Sequence, residues 1–224
     1  MIRAVLFDLD GVVRHFDHDP ELDRRHGLDD GAVAAAAFAS PLLDAVTTGR
    51  LTRADWIAAV GEAVGSPAAA AEWGRTPFHV DPAVIALAGE LQAAGLITAI
   101  LTNGTDTIAA EMTASGLDQH FSPIVNSADI GHAKPDVRAF THVLDALALA
   151  PEQMFFTDDS ASKLAGAIAL GIRTHHFDGV AGLRTALSAA GIGIHPALDT
   201  PQEGRLGSTT HRDEPGRQSE RSDR

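Results

Sequence analysis

IRAVLFDLDGVV, residues 2–13, is an apolar run that stops at two acids and a glycine. Its first seven residues, rich in β-forming side chains, predict a buried strand, and the acidic, glycine-containing segment after them predicts a turn. The pattern returns downstream. LITAIL (96–101) stops at TNGT, and QMFFT (153–157) stops at DDS. IRTHHF (172–177) reads as a fourth strand and FSPIVN (121–126) as a shorter one. Helical stretches at 81–95, 105–115, 136–149, 160–170 and 180–190 separate them. In the first of these, Asp81 stands at the N-cap, Pro82 at the first helical position and Gly95 just past the end. Strands alternating with helices of this length imply a parallel sheet covered on both faces, an α/β, Rossmann-like core.

One region breaks the alternation. Residues 20–75 carry no strand signal and are alanine-rich with a helical period, at 30–38, 41–48, 52–64 and 67–73. They predict a helical cap subdomain, residues 14–80, inserted into a core formed by 1–13 and 81–199. The segments 14–19 (RHFDHD) and 75–80 (RTPFHV) would be its hinges. Residues 201–224 hold one aliphatic side chain, Leu206, and balance five arginines against five acids. Such a segment buries too little to offset its chain entropy, so 200–224 is expected to be a disordered tail.

Composition narrows the classes of function. Of 224 residues, 45% are hydrophobic, enough for one good core and a small second one. No apolar run approaches the roughly 18–20 residues that span a bilayer, and no signal-peptide pattern opens the sequence. There is no cysteine. That excludes disulfides, thiolate nucleophiles and cysteine-based metal sites, and it fits a cytoplasmic location. The net charge is −13, without a basic stripe, so nucleic acid and anionic membranes are not expected partners. Oligomeric state is not readable. Only two lysines occur, Lys134 and Lys163.

In an open parallel sheet the carboxyl ends of the strands form one edge, and ligands bind there. Asp8 and Asp10, Thr102 and Asn103, and Asp158 and Asp159 would therefore converge. Four carboxylates in one crevice repel one another, and some must stay protonated unless a cation joins them. A hard divalent ion with oxygen ligands, such as Mg²⁺, relieves this and turns an acidic crevice into an anion site. Lys134, in the turn-rich GHAKPD, is the natural second cation.

These residues carry a resemblance. VLFDLDGVV (5–13) resembles the DxDGV nucleophile motif of the haloacid dehalogenase-like hydrolase superfamily. ILTNGT (100–105) is similar to its second motif, Lys134 in KPD to its third and FFTDDS (155–160) to its acidic fourth. Order and spacing agree over roughly residues 1–190, and the helical insertion falls where helical-cap members carry theirs. TTGRLTRADWIAAVGEAVG (47–65) also resembles the cap of a sub-branch that includes sugar-phosphate phosphatases and the N-terminal domain of mammalian soluble epoxide hydrolase.

The resemblance implies a Mg²⁺-dependent phosphatase acting on a small phosphorylated molecule. Asp8 would attack phosphorus and become an aspartyl-phosphate. Asp10 would protonate the leaving oxygen, then deprotonate the hydrolytic water. The metal would be held by the Asp8 carboxylate, the Asp10 backbone carbonyl and Asp158, with Asp159 beside it. Thr102 and the backbone at Asn103 would hold the phosphoryl oxygens, and Lys134 would offset charge. Relatives often carry Asn where this chain has Lys163, which alters how Lys134 is held or adds a second cation. Dehalogenases lack a carboxylate equivalent to Asp10, and phosphonate-cleaving members need a cap lysine, absent before residue 134. A phosphosugar mutase and a non-catalytic phosphate- or partner-binding relative remain as alternatives. Three further groups are open to either role. His15 and His18 sit at the hinge. Trp56 and Trp73 suit packing better than a sugar platform. Arg24, Arg25 and Arg50 read mainly as exposed helix charges.

Overall fold

A computed structural model describes residues 1–193. The expected tail, 200–224, and the last residues of the expected core segment lie outside the described residues. The central sheet has five strands: β1 (Ala4–Phe7), β4 (Ile97–Thr102), β5 (Ile124–Asn126), β6 (Met154–Asp158) and β7 (Arg173–His176). Their order is β5-β4-β1-β6-β7, and every pairing is parallel. In register, Phe7 lies beside Ile100 on one side and Thr157 on the other. The chain leaves β1 toward β4 and β5, then returns to build β6 and β7 on the opposite flank. That reversal opens a crevice at the carboxyl ends beside β1.

Alternation along the strands builds two apolar layers. Val5, Phe7, Ile100 and Phe155 pack on one face beneath α6 (Pro82–Ala93), α7 (Ile108–Ser115) and α11 (Val180–Ala189). Ala4, Leu6, Ala99, Leu101, Met154 and Phe156 pack on the other against α9 (Val137–Leu147) and α10 (Ala165–Leu170). β1 is fully buried along its length, as a strand covered on both faces must be. Asp81 caps α6 as expected, its carboxylate accepting from the N–H groups of Ala83 and Val84. The expected helix over 160–170 divides in two, a 3₁₀ turn at Ala161–Leu164 and then α10.

Between β1 and α6 the chain is helical: α1 (Leu22–Arg25), α2 (Ala32–Ala37), α3 (Leu42–Thr47), α4 (Arg53–Ala63) and α5 (Pro67–Trp73). A separate apolar cluster, including Val33, Val46, Trp56 and Val60, lies wholly within these helices. Trp56 packs edge to face on Trp73 with ring centroids 5.1 Å apart, and its indole N–H donates to the Ala37 carbonyl at 3.1 Å. The two expected hinges pair with each other. β2 (Arg14–Phe16) and β3 (Phe78–Val80) form an antiparallel ribbon in which Phe16 faces Phe78 and Arg14 faces Val80. A short helix, α8 (Ser127–Ile130), follows β5.

Candidate active site

Each acidic cluster stands where a buried strand stops. Asp8 follows β1, Thr102 ends β4, and Asp158 ends β6. Gly11, at φ +86°, turns the chain directly after the first pair of acids, and a Cβ there would collide with the Asp159 carboxylate. The turn thus demands glycine twice, for conformation and for space.

Asp8, Asp158 and Asp159 each offer a carboxylate oxygen, and these atoms lie within 4.8 Å of one another. Lys134 is 3% exposed and reaches between two of them, donating from Nζ to Asp8 Oδ1 and Asp158 Oδ2, both at 2.7 Å. Burial pushes the Asp8 carboxyl up to about 7. Lys134 pulls it back, while Asp158 and Asp10 push it further. Asp159 is raised by burial and by Asp158. For Lys134, burial pulls the ammonium down, but the fields of Asp8 and Asp158 outweigh this and raise it above the ordinary lysine range. Three acids facing one lysine leave excess negative charge on hard oxygen donors. That donor set fits a hard divalent cation such as Mg²⁺.

The lysine is held by its backbone. Asn103 donates from Nδ2 to the Lys134 carbonyl at 2.9 Å and accepts from the Lys134 N–H at 2.7 Å. Lys163 Nζ donates to the same carbonyl at 3.4 Å. The Asn103 side chain therefore orients the lysine loop, and Lys163 supports that loop. The Thr102 hydroxyl, almost fully buried, makes no hydrogen bond among the described residues. His176 Nε2 sits 2.8 Å from the Asp159 carbonyl.

Asp10 is set apart from the metal-type cluster. Its side chain, 41% exposed, accepts from Arg14 Nε at 2.5 Å. The buried Arg14 also donates from Nη1 to Glu111 Oε2 at 2.7 Å, and its guanidinium lies over the rings of Phe78 (4.6 Å) and Phe16 (5.1 Å). Thr107 donates to the other Glu111 oxygen at 2.6 Å. Burial works against the Glu111 carboxylate, but Thr107 and Arg14 outweigh it and hold the group below its ordinary range.

Sequence reasoning missed Arg14 and Glu111. Arg14 had a signal, a single cation inside the apolar run VVRHF, whereas Glu111 had none. Arg24 and Arg25 pair with Asp30, Asp19 and Glu72, and Arg50 with Thr48 and the Asp44 carbonyl. None of the three is in the lining of the cavity that adjoins Asp10. That cavity, about 360 Å³, lies between the helical insertion and the strand ends. Trp56 and Trp73 pack, as expected, and also face it, as do His18, Arg53 and Asn103.

A parallel sheet with an acidic, lysine-bridged cluster at its switch point is the arrangement of an α/β protein with a carboxylate-centred site. The chain belongs to the haloacid dehalogenase-like hydrolase family, whose model matches residues 2–171. It is 33% identical over 151 residues to a phosphoserine phosphatase of Thermus thermophilus, covering 64% of this chain and 57% of that one. It is 35% identical over 86 residues to (S)-2-haloacid dehalogenase 4A of Burkholderia cepacia, covering 38% and 37%. The chain thus spans less than two thirds of either relative's length. Its fold is shared with a HAD family enzyme of Bacteroides thetaiotaomicron whose crystal structure holds magnesium and inorganic phosphate. There the TM-score is 0.65 at 21% identity, covering 78% of this chain and 93% of that one. Among the described residues no helix is long and apolar enough to cross a membrane.

Proposed function

We propose that the protein is a Mg²⁺-dependent phosphatase of small phosphate monoesters, working through an aspartyl-phosphate on Asp8. The observation that carries the reading is the Asp8–Lys134–Asp158 bridge with Asp159 alongside, together with a second acid, Asp10, two residues after Asp8 and paired with Arg14. The Asp8 and Asp158 carboxylates and the Asp10 carbonyl would hold the ion, with Asp159 beside it. The bound ion supplies charge neutralisation for the phosphoryl oxygens and for the acids around it.

Asp8 attacks phosphorus, and the bond from phosphorus to the alcohol oxygen breaks. Asp10 gives that oxygen a proton. In the second half, water attacks the phosphorus of the aspartyl-phosphate and Asp10 takes the proton. Inorganic phosphate leaves and the Asp8 carboxylate is restored. Lys134 keeps the nucleophile's charge managed throughout. The Thr102 hydroxyl and the Asn103 backbone would bind phosphoryl oxygens. Residues 14–80 would act as a cap that excludes water, with 1–13 and 81–199 as the catalytic core. A cytoplasmic setting and a partner that is a small molecule rather than nucleic acid belong to the same reading, in keeping with a charge of −13 and no cysteine.

Dehalogenation is disfavoured by Asp10, since a departing halide needs no proton. The decisive assay is phosphate release from a panel of small esters. Activity should vanish with EDTA and in Asp8→Asn, and metal-independent turnover or a fully active Asp8→Asn protein would end the mechanism. A hexose phosphate that isomerises without releasing phosphate would instead identify a mutase. Binding of a partner without turnover of any ester would identify a non-catalytic relative.

A further inference from the structure

The alcohol part of the substrate has a cavity of its own beside Asp10, and its lining differs from that of a sugar site. Five aromatic rings, Phe16, Phe38, Trp56, Trp73 and Phe78, face the same space of about 360 Å³. That volume is within the range of pockets that enclose a small organic molecule. The rings are already organised: Phe38 stands edge-on to Trp56 and Trp73 at 6.5 and 6.0 Å, and Phe16 edge-on to Phe78 at 5.8 Å. Phe38 is 55% exposed although it belongs to this aromatic group and lines the cavity.

Most of the polar groups in the lining are already engaged. Arg14 is bound to Asp10 and Glu111. Arg53 donates to the Gly74 carbonyl at 2.5 Å, and its field falls on Glu111. Arg14 is thus spent on two carboxylates, while Arg53 is tied by one hydrogen bond to a neutral carbonyl. Thr47 donates to the Leu43 carbonyl, Thr76 to the Trp73 carbonyl, and Thr105 shares a hydrogen bond with Thr107. Asn103 is spent on Lys134. His18, 6.1 Å from the Phe16 ring, and the indole N–H of Trp73 remain. A ligand rich in hydroxyls would lose its water here and find few replacements, which costs affinity.

We infer that the site selects monophosphate esters of apolar alcohols carrying an aromatic or branched body, in preference to sugar phosphates. The inference rests on the phosphatase reading above for the phosphoryl end and on the cavity alone for the alcohol end.

Primary alkyl esters keep leaving-group basicity close. With Mg²⁺, kcat/KM for 2-phenylethyl phosphate should exceed that for glucose 6-phosphate by about thirtyfold, the value of burying one ring. Phe38→Ala and Trp73→Ala should each shrink that ratio. A second readout needs no turnover. Trp56 and Trp73 are the chain's only tryptophans, so intrinsic emission reports on this cavity. In Asp8→Asn, 2-phenylethyl phosphate should shift the emission and glucose 6-phosphate should not. Equal or greater kcat/KM for the sugar ester overturns the substrate class and leaves the phosphatase reading standing. So does the same emission change with both ligands, or none with the ring ester. Absence of turnover with every ester counts against the phosphatase reading, and the emission titration then decides the cavity's preference by itself.

Discussion

Replacing Lys134 by methionine would keep most of the stem's volume and remove the charge between Asp8 and Asp158. Each carboxylate oxygen is 2.7 Å from Nζ. At an effective dielectric constant near 20, each contact is worth about 6 kcal/mol of attraction before desolvation is charged against it. Most of that is offset by burial, and breaking such a buried arrangement on one side costs about 3–5 kcal/mol. At this chain length, that corresponds to a fall in Tm of roughly 6–20 °C. The loss should depend on pH. In the folded protein the Asp8 carboxyl already stands at about 7, against 3.8 as its ordinary value. Without the lysine it moves higher still. Between those values the native state binds a proton that the unfolded chain does not, so stability falls as pH rises, by at most about 1.4 kcal/mol per unit for one proton. The metal-free variant should therefore be clearly less stable at pH 8 than at pH 6, and Mg²⁺ should restore part of the difference by replacing the missing cation. Urea or thermal unfolding at both values, with Mg²⁺ and with EDTA, measures this. A destabilisation below about 1 kcal/mol, or one equal at the two pH values and indifferent to Mg²⁺, would refute the electrostatic account of the bridge.

Three further perturbations separate the parts of the site. Arg14→Lys breaks the two-sided grip on Asp10 and Glu111, so kcat for alkyl phosphates should drop about tenfold or more, while 4-nitrophenyl phosphate, whose leaving group needs no proton, should suffer far less. Gly166→Ala sets a Cβ against the Pro135 carbonyl and should lower stability by about 1–3 kcal/mol and activity with it, because the lysine loop must move; calorimetry and phosphate release on one preparation test both. Glu111 is held below its ordinary range, so its contribution is present above the unfolded value and is lost as pH falls through the lower folded value. Urea midpoints followed from neutral into the acid range should show that loss in the parent and a flatter profile in Glu111→Gln.

What the sequence disclosed, and what it withheld, follows physical lines. The inner strands β1, β4 and β6 were legible because each is a largely apolar run ended by an acid or a polar turn, and the strand-end rule then gathered Asp8, Thr102 and Asp158 at one edge without knowledge of strand order. The β2–β3 ribbon was not legible: RHF and FHV are three residues each, too short and mixed to show a period. Helices α1 and α8, four residues each, escaped for the same reason. Asn103 was read for its backbone, yet its side chain clamps a residue 31 positions away, a pairing only the folded chain makes.

The same limit explains the most consequential omission. Asp8 and Asp10 are two residues apart in one motif, and the convergence of strand ends placed them in a single crevice of four carboxylates. In the folded chain they have separate counter-ions drawn from distant segments. Lys134 reaches Asp8 from beyond β5, and Arg14 ties Asp10 to Glu111 on α7. One acid is buried beside a lysine and the metal-type cluster, the other is half-exposed at the mouth of an aromatic cavity. Two carboxylates with different surroundings can take different roles, one as nucleophile and one as proton carrier. The arginine that divides them also begins β2, so the strand that joins the helical segment to the core carries the group that positions Asp10.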